Sequence, residues 1–279
     1  MTVSAPSDTQ RPIGVFDSGM GGLSVLKALH HALPGEDFVY LGDMARLPYG
    51  TKSAETVTAY ALQAVQKLNT HHIKLAVIAC NTATSVALPA LIQKFDPLPV
   101  IGVVEPGARA AVQASKNGRI AVIATEGTVA GGAYERAIGA LKPDARVIAR
   151  PAQLFVALAE EGWTDGPETR AVAARYLKGL FSGPLEERPD TLVLGCTHFP
   201  VLIPAIKAVL GSQAIIVDSA QTTAGAVTDL LEAKKLKRDR THHGRLKFMV
   251  TDSPERFARV GQLFLEAPLA AEDVELVDL

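Results

Sequence analysis

One pattern occurs twice in this chain and limits what it can fold into. A short apolar run is followed by a small residue, a cysteine, and then hydroxyl or amide side chains. The first copy is Leu75-Ala-Val-Ile-Ala-Cys80-Asn-Thr-Ala-Thr-Ser85, the second Thr191-Leu-Val-Leu-Gly-Cys196-Thr-His-Phe-Pro200. Each apolar run has the length of a buried strand. Each leads into a segment that can open a helix, Val86 to Ile92 and Val201 to Leu210. Strands alternating with helices predict a parallel sheet. In open sheets of that kind, ligands bind where strands end and helices begin. The chain has 2 cysteines, and both fall at such a place.

The remainder fits an α/β chain. Apolar residues make up 48% and aromatic residues 5%, so the core is built of Ala, Val, Leu and Ile, as in parallel strands covered by helices. Strands are expected at 12–16, 38–42, 75–79, 100–104, 119–124, 145–149, 191–195 and 214–217, with an edge strand at 246–250 and a last helix at 254–265. Ser53 reads as the cap of a long helix, with Glu55 in its first turn. The expected organisation is two doubly wound parallel-sheet domains with weak internal symmetry. Residues 1–100 and 214–279 form the first and carry Cys80; residues 101–213 form the second and carry Cys196. A ligand then lies in the cleft between them.

Composition also excludes several roles. The formal net charge of −1 gives no reason to expect nucleic acid or a membrane surface. The basic run from Lys234 to Arg245 reads as an exposed helix end and loop. No apolar run approaches the ~18 residues of a membrane span. Met1 to Arg11 reads as a disordered tail without the pattern of a signal peptide. Unclustered cysteines fit a reducing cytoplasm.

Cys80 and Cys196 have two readings from the residues alone. They are small buried hydrophobes, or they are a thiolate and a thiol on opposite sides of one carbon, a general base and a general acid. Asp17-Ser18-Gly19, after the first strand, is a turn with a helix cap, or a carboxylate beside backbone N–H groups that receive an anion. Ser24 stands where a dinucleotide fingerprint needs its third glycine, and no phosphate loop occurs. His198 is structural, or it helps Cys196 gain and lose its proton. Cys80, Cys196 and His198 as a zinc set match no recognised ligand spacing. Glu160 and Glu161, on a short helix, are by themselves a solvated face.

Four segments are similar to signatures of the glutamate racemases: Phe16-Asp-Ser-Gly-Met-Gly-Gly-Leu-Ser24, Leu41-Gly-Asp-Met-Ala-Arg-Leu-Pro-Tyr-Gly-Thr-Lys-Ser53, Ala79-Cys-Asn-Thr-Ala-Thr84 and Gly195-Cys-Thr-His-Phe-Pro200. The resemblance runs from Pro12 to the last helix. It implies two flavodoxin-like domains and interconversion of L- and D-glutamate without pyridoxal phosphate, another cofactor or a metal, in the cytoplasm, with D-glutamate entering peptidoglycan and so the cell wall and cell shape. Cys80 is then the thiol that deprotonates D-glutamate and Cys196 the one that deprotonates L-glutamate. Asp17 is implied as partner on the Cys80 side, Glu160 and His198 on the Cys196 side. The match at Glu160 is looser, and Glu161 stays an alternative. Asp17, Ser18, Tyr49, Gly50, Asn81, Thr82, Thr197 and His198 fall on substrate-binding positions. The implied partner is a small-molecule substrate, glutamate, with neither nucleic acid nor membrane; a homodimer stays open. Control through an N-terminal extension, which some members have, is not expected from the few residues before the first strand. An aspartate racemase and a two-lobed binding protein are the other readings. His198 followed by Phe199-Pro200 favours glutamate.

Overall fold

The computed structural model describes residues 7–239 and 242–279. The chain begins as β1 (Ile13–Asp17), α1 (Leu23–Ala32), β2 (Phe38–Gly42), α2 (Ala54–Asn69), β3 (Leu75–Ile78), α3 (Asn81–Phe95) and β4 (Val100–Gly102). It continues through α4 (Val104–Ala114), β5 (Arg119–Ala124), α5 (Glu126–Ala130), α6 (Ala133–Leu141), β6 (Arg146–Pro151), α7 (Leu154–Glu160), α8 (Pro167–Leu177), β7 (Thr191–Gly195), α9 (Ile203–Leu210) and β8 (Ile215–Asp218). It closes with α10 (Ser219–Ala233), β9 (Leu246–Val250), α11 (Pro254–Leu265) and β10 (Val274–Leu276).

Two sheets result. The first has 6 strands in the order β10-β9-β2-β1-β3-β4, the second 4 in the order β6-β5-β7-β8. Every pairing is parallel. β1, β2, β3 and β7 are buried along their whole length, which is why they read as continuous apolar runs rather than alternating ones. The first sheet takes back the end of the chain through β9, which pairs with β2 from Phe38↔Leu246 to Gly42↔Val250. A buried ion pair fastens this return. Lys74 Nζ donates to Glu36 Oε2 at 2.5 Å and to the Leu236 carbonyl at 2.8 Å, while the Arg238 amide donates to Glu36 Oε1 at 2.7 Å.

Several expectations need correction. The boundary set between residues 213 and 214 would place β8 in the first lobe, but β8 pairs with β7 and completes the second sheet. The first crossing, between 100 and 101, cuts β4, whose residues 101 and 102 still pair with β3. The strand at 246–250 is not an edge, because β10 lies outside it. β10 was not anticipated; it is 3 residues long and carries no periodic signal. Helix α4 was also not anticipated. Pro106 sits in its first turn, where no N–H is needed. Helix α3 begins at Asn81, ahead of the expected Val86. Of the tail at 1–11, residues 1–6 lie outside the described residues, and Asp8–Gln10 form a single 3₁₀ turn. Arg240 and Thr241 of the basic run also lie outside them. Among the described residues, no helix is long and apolar enough to cross a membrane.

Candidate active site

The C-terminal ends of β1 and β3 in the first sheet face those of β5 and β7 in the second. Between them is a narrow, nearly closed cleft with a cavity volume of about 30 Å³. Ser18, Tyr49, Gly50, Cys80, Asn81, Thr82, Cys196, Thr197 and His198 line it together. These are the expected substrate-side residues apart from Asp17. Leu47, Pro48, Thr125, Gln153 and Val156 complete the lining and were missed. Thr125 had a usable signal: it is a hydroxyl residue directly after an apolar strand, as in the two cysteine segments. A wider hollow between α1 and α10 holds neither thiol.

Cys80 is the N-cap of α3, and its Sγ accepts from the Ala83 amide at 3.4 Å. The thiol donates to Ser18 Oγ at 3.5 Å. Burial, with the charge of Asp17 second, pushes the Cys80 thiol up to about 12, so it is a neutral donor. Asp17 lies fully buried behind the cleft rather than on its wall. Its Oδ2 accepts from the Gly19 amide at 3.0 Å, and its Oδ1 accepts from Thr197 Oγ1 at 3.5 Å. Burial raises the Asp17 carboxyl, against the opposing pull of His198 and nearby backbone amides.

Cys196 has a different setting. No long helix starts at it: a 3₁₀ turn, Phe199–Leu202, intervenes before α9. Its Sγ lies 3.8 Å from His198 Nδ1. His198 Nε2 lies 3.2 Å from Glu160 Oε1, and Arg256 donates to Glu160 Oε2 at 2.9 Å. Burial opposes charge on His198, but its bonds to Cys196 and Glu160 outweigh that and hold the imidazole protonated up to about 10. Burial likewise opposes charge on Glu160, yet His198 and then Arg256 hold its carboxyl below the usual range. Glu160, not Glu161, therefore sits beside His198; Glu161 is exposed at the end of α7. Phe264 of α11 packs edge-on against the His198 ring, with centroids 5.2 Å apart.

The lobes approach closely around the cleft. Thr82 Oγ1 lies 2.9 Å from Thr125 Oγ1, and Ser24 Oγ lies 3.3 Å from the Thr197 carbonyl. A Cβ on Gly21 would stand 2.5 Å from both His198 Nδ1 and Thr197 Oγ1, so only glycine permits this contact. Among the described residues, no group of three or more His, Cys, Asp or Glu could hold a metal ion. The arrangement is two sulfurs from two different sheets, one neutral donor and one beside a cation, across an enclosed space rich in neutral hydrogen-bond donors. It can take a proton from one side of a bound carbon and return one on the other.

Known proteins share this fold. Residues 13–227 match the family model described as Asp/Glu/Hydantoin racemase. A glutamate racemase of Geobacter metallireducens is 48% identical, over 96% of this chain and 97% of that protein. The crystal structure of glutamate racemase from Francisella tularensis in complex with D-glutamate superposes with a TM-score of 0.88 at 34% identity, covering 97% of this chain and 98% of that one. That from Thermus thermophilus, in complex with beta-chloro-D-alanine, gives 0.85 at 42% identity, covering 98% and 99%. This chain belongs to the Asp/Glu/Hydantoin racemase family.

Proposed function

We propose that this enzyme interconverts L- and D-glutamate by a two-thiol mechanism. The observation that carries the reading is the meeting of Cys80 and Cys196 in one cleft from separate sheets. Glutamate binds with its Cα between the sulfurs. In one direction, Cys196 as a thiolate removes the Cα proton of L-glutamate. The Cys80 thiol then delivers its own proton to the opposite face, giving D-glutamate and a Cys80 thiolate. The reverse direction exchanges the roles. The His198 cation balances negative charge on the Cys196 side, and Glu160 holds the imidazole in place. On the other side, the Ala83 amide and Ser18 receive the charge left on Cys80.

Cα of an amino acid is a weak carbon acid, so its carbanion needs help. Neutral donors from Asn81, Thr82 and Thr197 around the α-carboxylate can stabilise the developing charge. Enclosure by the two lobes strengthens those contacts by excluding water. The reading places the enzyme in the cytoplasm, supplying D-glutamate for peptidoglycan.

Circular dichroism at a wavelength where the enantiomers differ tests this directly, with L-glutamate, D-glutamate and L-aspartate as substrates. Both glutamates should lose optical activity and aspartate should not. In D₂O, product should carry deuterium at Cα while remaining substrate stays mostly unlabelled early on. EDTA and carbonyl reagents should leave the rate unchanged. Turnover of aspartate but not glutamate would overturn the substrate assignment, and a flat signal with all three would overturn the activity.

A further inference from the structure

We infer that Tyr134 is a positioning residue whose hydroxyl fixes the amide of Asn81, so that the NH₂ end is kept for the substrate carboxylate. The inference rests on the glutamate reading above and adds a residue from α6, which lies outside the cleft wall.

Tyr134 is 1% exposed and belongs to the second lobe. Its hydroxyl crosses to the first lobe and donates to Asn81 Oδ1 at 2.8 Å. Asn81 directly follows Cys80 and lines the cleft. Its Nδ2 is buried and has no hydrogen-bond partner. A buried donor left unpaired is costly. Here the empty valence belongs to a residue on the wall of a site for an anionic ligand.

The direction of the Tyr134 bond follows from the phenol staying protonated. Burial above all, then the charge of Asp218, keeps the phenol protonated. A phenol has a single proton. That proton goes to Asn81 Oδ1. The amide oxygen is thereby engaged on the Tyr134 side, and the NH₂ end turns away from it. The ring is held at the same time. A Cβ on Gly195, the residue before Cys196, would stand 3.0 Å from Tyr134 Cε2. One side chain therefore packs against the Cys196 segment and bonds the Cys80 segment.

The test is a double-mutant cycle on kcat/KM for D-glutamate, using wild type, Tyr134→Phe, Asn81→Ala and the pair. Removing a preorganised donor outright costs roughly 10²–10³-fold, so Tyr134→Phe, which only frees the amide to turn, should cost about 10–100-fold. Asn81→Ala should cost at least as much, and adding Tyr134→Phe to it should cost almost nothing more. A purely structural role would instead lower the melting temperature and multiply the two losses. If Tyr134→Phe folds poorly, Tyr134→Met takes its place: it keeps the bulk and removes the hydroxyl, and its loss should also vanish beside Asn81→Ala. Multiplying losses, or an unchanged Tyr134→Phe, overturns the inference alone. A wild type that interconverts neither glutamate overturns the functional reading and this inference with it.

Discussion

Cys80 opens a 15-residue helix and has its sulfur bonded by that helix's own backbone. Cys196 ends an equivalent strand, but its neighbours are a 3₁₀ turn and a chain of ionised side chains, His198, Glu160 and Arg256. The strand ends are alike because both sheets are parallel and both sites lie where strand gives way to helix. The surroundings of the two sulfurs are not alike. One side relies on backbone and a neutral hydroxyl, the other on a cation held between a sulfur and a carboxylate. On the two-thiol reading proposed above, a reaction symmetric in its two directions is served by unequal supports, and each support can be removed by itself.

The largest effect should come from the sulfurs. Cys80→Ser and Cys196→Ser should each lower racemisation in both directions by at least the ~10²–10⁴-fold typical of a general acid–base group. If either variant keeps near wild-type rates in the optical assay, the two sides are not a catalytic pair. Next come the supports. His198→Asn and Asp17→Asn should each cost less than a thiol, about 10²-fold, near the lower end of that range. Equilibrium fixes the ratio of the two kcat/KM values, so the asymmetry must be sought in primary deuterium isotope effects. His198→Asn should change the effects for L- and D-glutamate unequally, and Asp17→Asn should favour the opposite direction. Identical changes in the two variants would erase the distinction between the sides.

Arg256 probes the charged side from outside the cleft. Arg256→Met leaves Glu160 with one cation fewer, so the acid limb of the rate profile should move to higher pH; Arg256→Lys should restore it. Because this pair is partly exposed, the rate change should be only a few-fold, in line with about 1 kcal/mol for such a contact. Stability gives another reading of the same side. His198 rises from 6.5 to about 10 on folding. Its contribution is therefore complete below pH 6.5 and is lost as pH climbs through about 10. Melting temperatures measured between those values should fall more steeply in wild type than in His198→Asn. The smallest effect separates capping from chemistry. Ser53 caps α2 through its hydroxyl, at 3.3 Å from the Thr56 amide, as Cys80 caps α3 through its sulfur. Ser53→Ala should cost about 1 kcal/mol of stability in denaturant melts and leave racemisation untouched.

The sequence made the cysteines legible because each carries its own local context, an apolar run before it and polar residues after it. Ser53 and the helix at 254–265 were readable for the same reason: caps and periodicity act within a few residues. What was not readable depends on partners far along the chain. Glu160 looked like a solvated face because its meaning comes from His198 and from Arg256, 38 and 96 residues away. Tyr134 gave no sign of its bond to Asn81, 53 residues before it. The place of β8 was missed because an apolar strand of 4 residues fits either sheet, and only its pairing with β7 decides.

The return of the chain to its first sheet also orders events during synthesis. The four strands of the second sheet, β5 to β8, are contiguous, so that lobe can close once Asp218 has left the ribosome. The first lobe cannot. β2 keeps an unpaired edge until Leu246–Val250 emerges, and such an edge is a template for strands of other chains. The nascent polypeptide therefore carries a finished inner lobe flanked by an open one. Its vulnerable period lasts until β9 is made, so codon usage and chaperone contact over that late stretch bear on the yield of this enzyme more than those over the segments of its cleft.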